Sequence, residues 1–379
     1  MNEKIITLRK NMEMLGIDGL IVNNPNNIKY LLGVNAEGAL LINTKENFFI
    51  TDARYTETAK NQITLDDEVV IFDVANLTDE ENIGFFQDCN KVGFEENYIT
   101  YANYNNMVRR YRLKETDETE NIIEKQRMIK NDNEISDIRM ACKITDDCFK
   151  YLLDFIKIGM SEKQIAFEIE KFFIENGADG LAFETIVASG ENSSKPHSIP
   201  GERTIKFGDV ITIDFGAKYK EYCADMTRTF FVGEVSQENR DLYNFILKAQ
   251  ENATERIRDG ADGKQIAKEV ASTFNLENYS LIHALGHGVG LEVHERPFLS
   301  YRTSYTLKEN MVVTNEPGIY IPGKVGMRIE DTIKVNKNDC EVLTKSCKDI
   351  IIIWHLCYIY PKPDFLWYNT WKYNKILIW

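Results

Sequence analysis

One short frame occurs twice in this chain, and it restricts the second half to a duplicated strand–turn–strand design. ITIDFG and VVTNEPG share the pattern Thr-x-acid-x-Gly around Asp214 and Glu316. Each is followed, after a hairpin-sized gap, by a second acid: Asp225 in CADMTRTFF and Glu330 in RIEDTIKV. Side chains alternate across a strand with period two, so a hairpin can hold both acids of a unit on one face. Two such units predict a pseudo-twofold with carboxylates between its halves. One echo of this length can arise by chance, and Asp214 and Asp225 alone read equally well as a turn cap and a partner for Arg228. The second unit tips the reading toward duplication.

A histidine completes the set. His287 lies in HALGHGVGLEVHE, where His283 and His287 have the spacing of a zinc-protease helix. Gly286, Gly288 and Gly290 argue against a helix, because glycine costs about 1 kcal/mol per helical position. No glutamate follows His283, so the H-E-x-x-H pattern is absent. A strand or loop presenting His287 is the better expectation, with His283 and His294 beside it. Asp214, Asp225, His287, Glu316 and Glu330 thus form an oxygen-rich ligand set with one imidazole. That chemistry suits two divalent ions, Mn²⁺ first, with Co²⁺, Fe²⁺ or Zn²⁺ as substitutes. Two metals can supply hydroxide and polarise a carbonyl, as amide hydrolysis requires. Cys223 is close to Asp225 in sequence but reads as a packed strand residue.

The rest of the chain predicts a mixed α/β (α+β) protein. Residues 4–16 have helical periodicity through Ile5, Leu8, Met12 and Leu15. Strand-like runs follow in GLIVNN, GALLINTKENFFIT, DEVVIFDV and KVGFEE, ending a first domain near residue 122. The polar run KETDETENIIEKQRMIKNDNE reads as the connection. A helix is expected from Asn133 to Ile158, a second after a Ser161/Gln164 capping box, and a third from Gln237 to Asp259.

At 379 residues, two domains are expected. A net charge of −14 disfavours nucleic acid and anionic membrane surfaces as partners. The seven cysteines show no C-x-x-C pair and read as reduced thiols of a cytoplasmic protein. No signal-peptide core or membrane span is expected. All four tryptophans (Trp354, Trp367, Trp371 and Trp379) lie after Ile353, which sets residues 354–379 apart from the domain. This tail reads as a docking arm or as a non-native extension. The abrupt change of composition favours the second.

Together, DFGAKYKEYCADMTRT, HALGHGVGLEVHE, TNEPGIY and RIED resemble the pita-bread metallopeptidases of the M24 type, notably aminopeptidase P and prolidase. The resemblance implies a creatinase/prolidase-like N-terminal α/β domain over residues 1–122 and a pseudo-twofold pita-bread catalytic domain over 123–353. It implies that Asp214 chelates one metal and His287 and Glu316 the other, with Asp225 and Glu330 bridging. A bridging hydroxide would attack the scissile carbonyl. Glu316 would shuttle the proton, and His294 would hydrogen-bond the carbonyl oxygen. His197, in KPHSIPG, and His283 match substrate-site histidines, and Arg328 would steady a ligand carboxylate. Methionine aminopeptidase lacks the N-terminal domain, and creatinase, like a non-catalytic relative, lacks the metal set. The expectation is therefore Xaa-Pro cleavage at peptide N-termini, of aminopeptidase P type, with a prolidase restricted to dipeptides as the alternative. Proline-containing peptides are the expected partners, and a homodimer or homotetramer the expected assembly.

Overall fold

The computed structural model describes residues 2–64 and 68–354, so all of the expected tail except Trp354 lies outside the described residues. The chain divides into two compact units between Arg127 and Met128.

In the first unit, helix α1 (Glu3–Leu15) buries Ile5, Leu8 and Met12 and stops at Gly16, whose φ of 68° suits glycine. Strand β1 (Gly19–Val22), α2 (Pro25–Leu32), β2 (Ala39–Asn43), β3 (Asn47–Thr51), α3 (Thr56–Gln62), β4 (Val69–Asp73), α4 (Asp79–Gly84), β5 (Lys91–Phe94), α5 (Tyr101–Tyr111), β6 (Glu115–Glu118) and α6 (Ile122–Arg127) follow. The strands form one sheet in the order β4-β3-β2-β1-β5-β6. The polar run expected as a connection therefore contains an edge strand and a helix. β6 (ETDE) pairs with β5 along one side only, so it needs no apolar face to be a strand. α6 buries Ile122 and Ile123 within the first unit, which extends past residue 122 for that reason.

The second unit opens with α7 (Asp132–Phe155) and α8 (Glu162–Glu175). Both begin with capping boxes, Asn131 with Glu134 and Ser161 with Gln164, the latter as expected. Then come β7 (Gly180–Leu181), β8 (Ile186–Ser189), β9 (Val210–Phe215), β10 (Ala217–Tyr219), β11 (Tyr222–Cys223) and β12 (Met226–Val232). They are followed by α9 (Gln237–Thr254), α10 (Gly263–Leu276), β13 (Gly286–Gly288), β14 (Glu295–Leu299), β15 (Val312–Asn315), β16 (Gly318–Ile321), β17 (Val325–Arg328), β18 (Asp331–Val335), β19 (Cys340–Val342) and β20 (Ile352–Ile353).

The halves echo each other. α7 and α8 bury Phe149, Leu152, Ile165, Ile169 and Phe173 against Ile211, Ile213 and Phe230 of a sheet ordered β20-β12-β9-β8. α9 and α10 bury Tyr243, Ile246, Ile266 and Phe274 against Val313 and Ile333 of a sheet ordered β14-β13-β15-β18-β19. Each such side chain, fully buried, contributes roughly 1.5–3 kcal/mol. The two halves differ in register. Asp214 lies opposite Thr227 in the first, whereas Asn315 lies opposite Asp331 in the second. α9 ends at Thr254, short of the expected Asp259, and α10 was not anticipated. Its signal was present in Ile266, Ala267, Val270 and Phe274, but it opens on Gly263, a poor helix former. Among the described residues no helix is long and apolar enough to cross a membrane. The described cysteines are all free. Cys223 is packed as expected, and burial pushes its thiol up to about 12.

Candidate metal centre and substrate cleft

Each acid lies on or directly beside a different strand, and hydrogen bonds between those strands tie the two sheets together at the acids. Asp214 projects from β9, and Asp225 lies in the turn that leads into β12. The turn is pinned by Thr332, whose hydroxyl donates to the Asp225 carbonyl at 2.6 Å. Glu316 directly follows β15, and its amide donates to the Leu285 carbonyl at 2.9 Å. Glu330 directly precedes β18; its amide donates to the Thr227 carbonyl at 3.1 Å, and its Oε2 accepts from the Thr227 hydroxyl at 2.6 Å.

His287 is the middle residue of β13, a strand in agreement with the glycine argument. A Cβ on Gly286 would lie 2.0 Å from the Thr314 carbonyl oxygen, and one on Gly288 would lie 2.3 Å from that of Arg296. Only glycines let β13 fit between β14 and β15. The His287 Nδ1–H donates to the Gly288 carbonyl at 3.1 Å, which leaves Nε2 facing Glu316 Oε1 at 3.2 Å and Asp225 Oδ2 at 3.5 Å.

The site fits a cation. Ligand atoms of Asp225, His287 and Glu330 lie within 4.8 Å of one another, and all three residues are buried. Asp214 Oδ1 is buried without a hydrogen-bond partner. Burial and neighbouring carboxylates push Asp225 and Glu330 well above the usual carboxylate range. Glu316 goes the other way: burial opposes its charge, but its bond to His287 and the nearby His283 and Arg328 outweigh that and pull it down to about 2. Burial likewise opposes charge on His287, yet Glu316 raises its pKa. Four acids are thus packed around Arg328, the one permanent cation among the described residues lining this cleft. A divalent ion would relieve the remaining repulsion.

All nine residues singled out in the sequence line one cleft of about 620 Å³: His197, Asp214, Asp225, His283, His287, His294, Glu316, Arg328 and Glu330. Phe183, Ile186, Ile199, Val293 and Phe298 supply apolar wall. The rings of His287 and His294 meet edge-on with centroids 4.3 Å apart. Burial lowers the pKa of His294 and of His283. Arg328 donates to Asp214 Oδ2 at 2.6 Å and to the Thr227 hydroxyl at 2.9 Å. Arg228, the sequence alternative as an acid's partner, instead pairs with Asp331 at 2.7 Å.

Thr227 and Tyr320 were missed in the sequence. The Tyr320 hydroxyl accepts from Arg328 Nη1 and lies 3.2 Å from His283 Nε2, whose Nδ1 faces the Ala284 carbonyl at 2.8 Å. These contacts fix the His283 tautomer, with the proton on Nδ1. The available signal for Thr227 was its place opposite Asp214 in the expected hairpin, a pairing the structure shows between β9 and β12.

Comparison with known proteins agrees with this geometry. The family profile described as metallopeptidase family M24 matches residues 136–337, and that of the creatinase/prolidase N-terminal domain matches residues 4–129. A Bacillus subtilis (strain 168) protein described as uncharacterized peptidase YqhT is 38% identical, covering 92% of this chain and 100% of its own. A Pyrococcus furiosus Xaa-Pro dipeptidase is 34% identical over 93% of this chain and 100% of its own. Among solved structures, a Xaa-Pro dipeptidase from Bacillus anthracis superposes with a TM-score of 0.88 at 39% identity, covering 92% of this chain and 99% of that one. An X-Pro aminopeptidase from Thermotoga maritima superposes with a TM-score of 0.82 at 33% identity, covering 91% and 100%.

Proposed function

The chain belongs to metallopeptidase family M24, and we propose that within it this protein is a Xaa-Pro dipeptidase, a prolidase. The observation that carries the peptidase reading is the cluster of Asp225, His287 and Glu330 at the floor of a cleft that also holds Asp214 and Glu316. The names of the Pyrococcus and Bacillus anthracis relatives favour the dipeptidase over the aminopeptidase P activity expected from sequence. The Thermotoga relative, an X-Pro aminopeptidase, keeps the second reading in play.

Asp214, Asp225, His287, Glu316 and Glu330 would hold two divalent ions, with Mn²⁺ the best match to their oxygen-rich chemistry. When bound, such ions activate water near neutral pH and polarise the scissile carbonyl. Glu316 accepts the proton released as the peptide bond is attacked and delivers it to the departing proline nitrogen. His294, kept neutral by burial, donates an N–H to the scissile carbonyl oxygen. His197 and His283 orient the peptide. The apolar wall at Phe183, Val293 and Phe298 excludes water and receives its hydrocarbon parts.

Hydrolysis after Mn²⁺ loading tests this, comparing a Xaa-Pro dipeptide, a Xaa-Pro-Yaa tripeptide and a proline-free control. Cleavage of the dipeptide alone is the expected result. Cleavage of the tripeptide would establish the aminopeptidase, and cleavage of neither would reject both. Light scattering on the same preparation tests the homodimer or homotetramer implied by the resemblance.

A further inference from the structure

The segment from Ser189 to Gly201 carries His197 and Ile199 along the cleft, and one buried carboxylate closes its two ends. Glu162, the first residue of α8, is 0% exposed and does not itself line the cleft. Its Oε1 accepts from the Ser189 amide at 2.8 Å and the Ser189 hydroxyl at 2.7 Å. Its Oε2 accepts from the Gly201 amide at 3.1 Å, and Asn192 Nδ2 donates to both oxygens at 3.2 Å. One oxygen thus holds the start of the segment and the other its end.

A carboxylate matches this set, because each of these groups donates to it and a carboxylate accepts at both oxygens. Glutamine would turn an NH₂ toward one of those N–H groups. Burying a charge is unfavourable unless such bonds compensate, so the arrangement implies a need for this segment to be held. The middle of the segment is tied separately. Gly326 donates to the Ser193 hydroxyl at 2.9 Å and Gly323 to that of Ser194 at 3.3 Å. What remains untied by these bonds is the stretch that presents His197 and Ile199. Ile199 is 82% exposed beside the cleft, an isoleucine that a bound peptide would cover.

We propose that Glu162 is a positioning residue for the substrate: by closing the 189–201 segment it sets His197 and Ile199 against the bound peptide. This rests on reading the cleft as a peptide site. It assigns to a residue outside the cleft a role in binding that is separate from the metal ligands.

The test is Glu162→Gln in the full chain, loaded with Mn²⁺ and assayed on a Xaa-Pro dipeptide, with hydrogen exchange measured in parallel. KM should rise about tenfold while kcat stays within about twofold, as when binding alone is lost. Metal content should match wild type, and amide exchange should quicken in residues 190–200 but not around Asp214 or Glu330. In a His197→Ala, Ile199→Ala background the same substitution should add less than about twofold to KM, because coupled residues are non-additive. Unchanged KM in a folded variant, a loss of bound metal, or a full additional effect in the His197→Ala, Ile199→Ala background would each overturn the proposal. If Glu162→Gln fails to fold, Asn192→Ala removes one donor only and should raise KM in the same direction; no rise would overturn it. If wild type cleaves no Xaa-Pro dipeptide, the dipeptidase reading fails by itself, and exchange then judges Glu162: unaltered exchange in residues 190–200 overturns its positioning role.

Discussion

Arg328 donates through Nη2 to Asp214 Oδ2 at 2.6 Å, and the other oxygen of that carboxylate, Oδ1, is buried with no hydrogen-bond partner. The guanidinium occupies one side of the carboxylate and leaves the other side for a cation. Its remaining nitrogens reach Thr227 and Tyr320, so one planar fork aligns Asp214, steadies the hydroxyl that binds Glu330, and orients the tyrosine beside His283.

Arg328→Lys keeps the charge but cannot make these contacts together, and Arg328→Met loses both. Each should lower kcat/KM or metal affinity by about 10–100-fold, the usual effect of removing a group that orients a metal ligand. Titration with Mn²⁺, followed by activity and bound-metal analysis, checks this. A lysine variant with wild-type affinity and activity would contradict it.

Asp225→Asn should abolish activity while leaving the protein folded. The Asp225 and Glu330 carboxyls are pushed up by burial and by each other's neighbourhood of acids. A raised folded-state pKa means that the folded protein holds these protons more tightly than the unfolded chain. The contribution is therefore unfavourable to folding once the pH rises above the unfolded value near about 4, and it grows until the raised values are passed. Between pH 5 and 8 the metal-free wild type should lose more melting temperature than metal-free Asp225→Asn. Adding Mn²⁺ should offset the loss in wild type, by about 2.7 kcal/mol at a hundredfold excess over Kd. Calorimetry with and without chelator measures both.

Asp331 lies immediately beyond Glu330 and is fully buried, with Arg228 at 2.7 Å, Lys348 at 2.5 Å and Gln250 at 2.9 Å. Burial opposes its charge, but Arg228 and Lys348 outweigh burial and hold its pKa below the usual value. A depressed folded-state pKa contributes stability that is complete above the unfolded value near about 4 and is lost as pH falls through the depressed value. Asp331→Asn leaves Arg228 buried without its counter-charge and should cost about 3–5 kcal/mol at pH 7. The gap between variant and wild type should close as pH falls below the usual aspartate range. Denaturant unfolding at several pH values reads this out.

Gly286→Ala should disturb the site without touching a ligand. The added methyl would lie 2.0 Å from the Thr314 carbonyl oxygen, so β13 must move away from β15 and take His287 with it. Forcing atoms into a packed core costs about 1–3 kcal/mol. A lowered melting temperature together with a larger fractional loss of activity is expected, and wild-type values for both would contradict this account of β13.

The amphipathic helices α1, α7 and α8 were legible because burial at 3.6-residue spacing and capping boxes are written in adjacent residues. β6 was not, because an edge strand needs no apolar face; what makes it a strand is the backbone of β5 beside it. α10 was readable from Ile266, Val270 and Phe274 but was masked by its glycine start.

The five proposed ligands were legible in the chain itself, since hard oxygen donors in a repeated strand frame with one imidazole suit divalent metals. The glycines around His287 likewise argued against a helix, because backbone entropy is a local property, whereas the pairing with β14 and β15 made the segment a strand rather than a loop. Only the tertiary structure decided that Arg328 serves Asp214, that Thr227 serves Glu330, that Tyr320 joins Arg328 to His283, and that Glu162 closes the segment carrying His197. Those partners stand 114, 103, 8 and 37, and 27 to 39 residues apart. Hydrogen bonds depend on where atoms lie within a few tenths of an ångström, and that is settled when the sheets and helices pack, not by residue type or spacing along the chain.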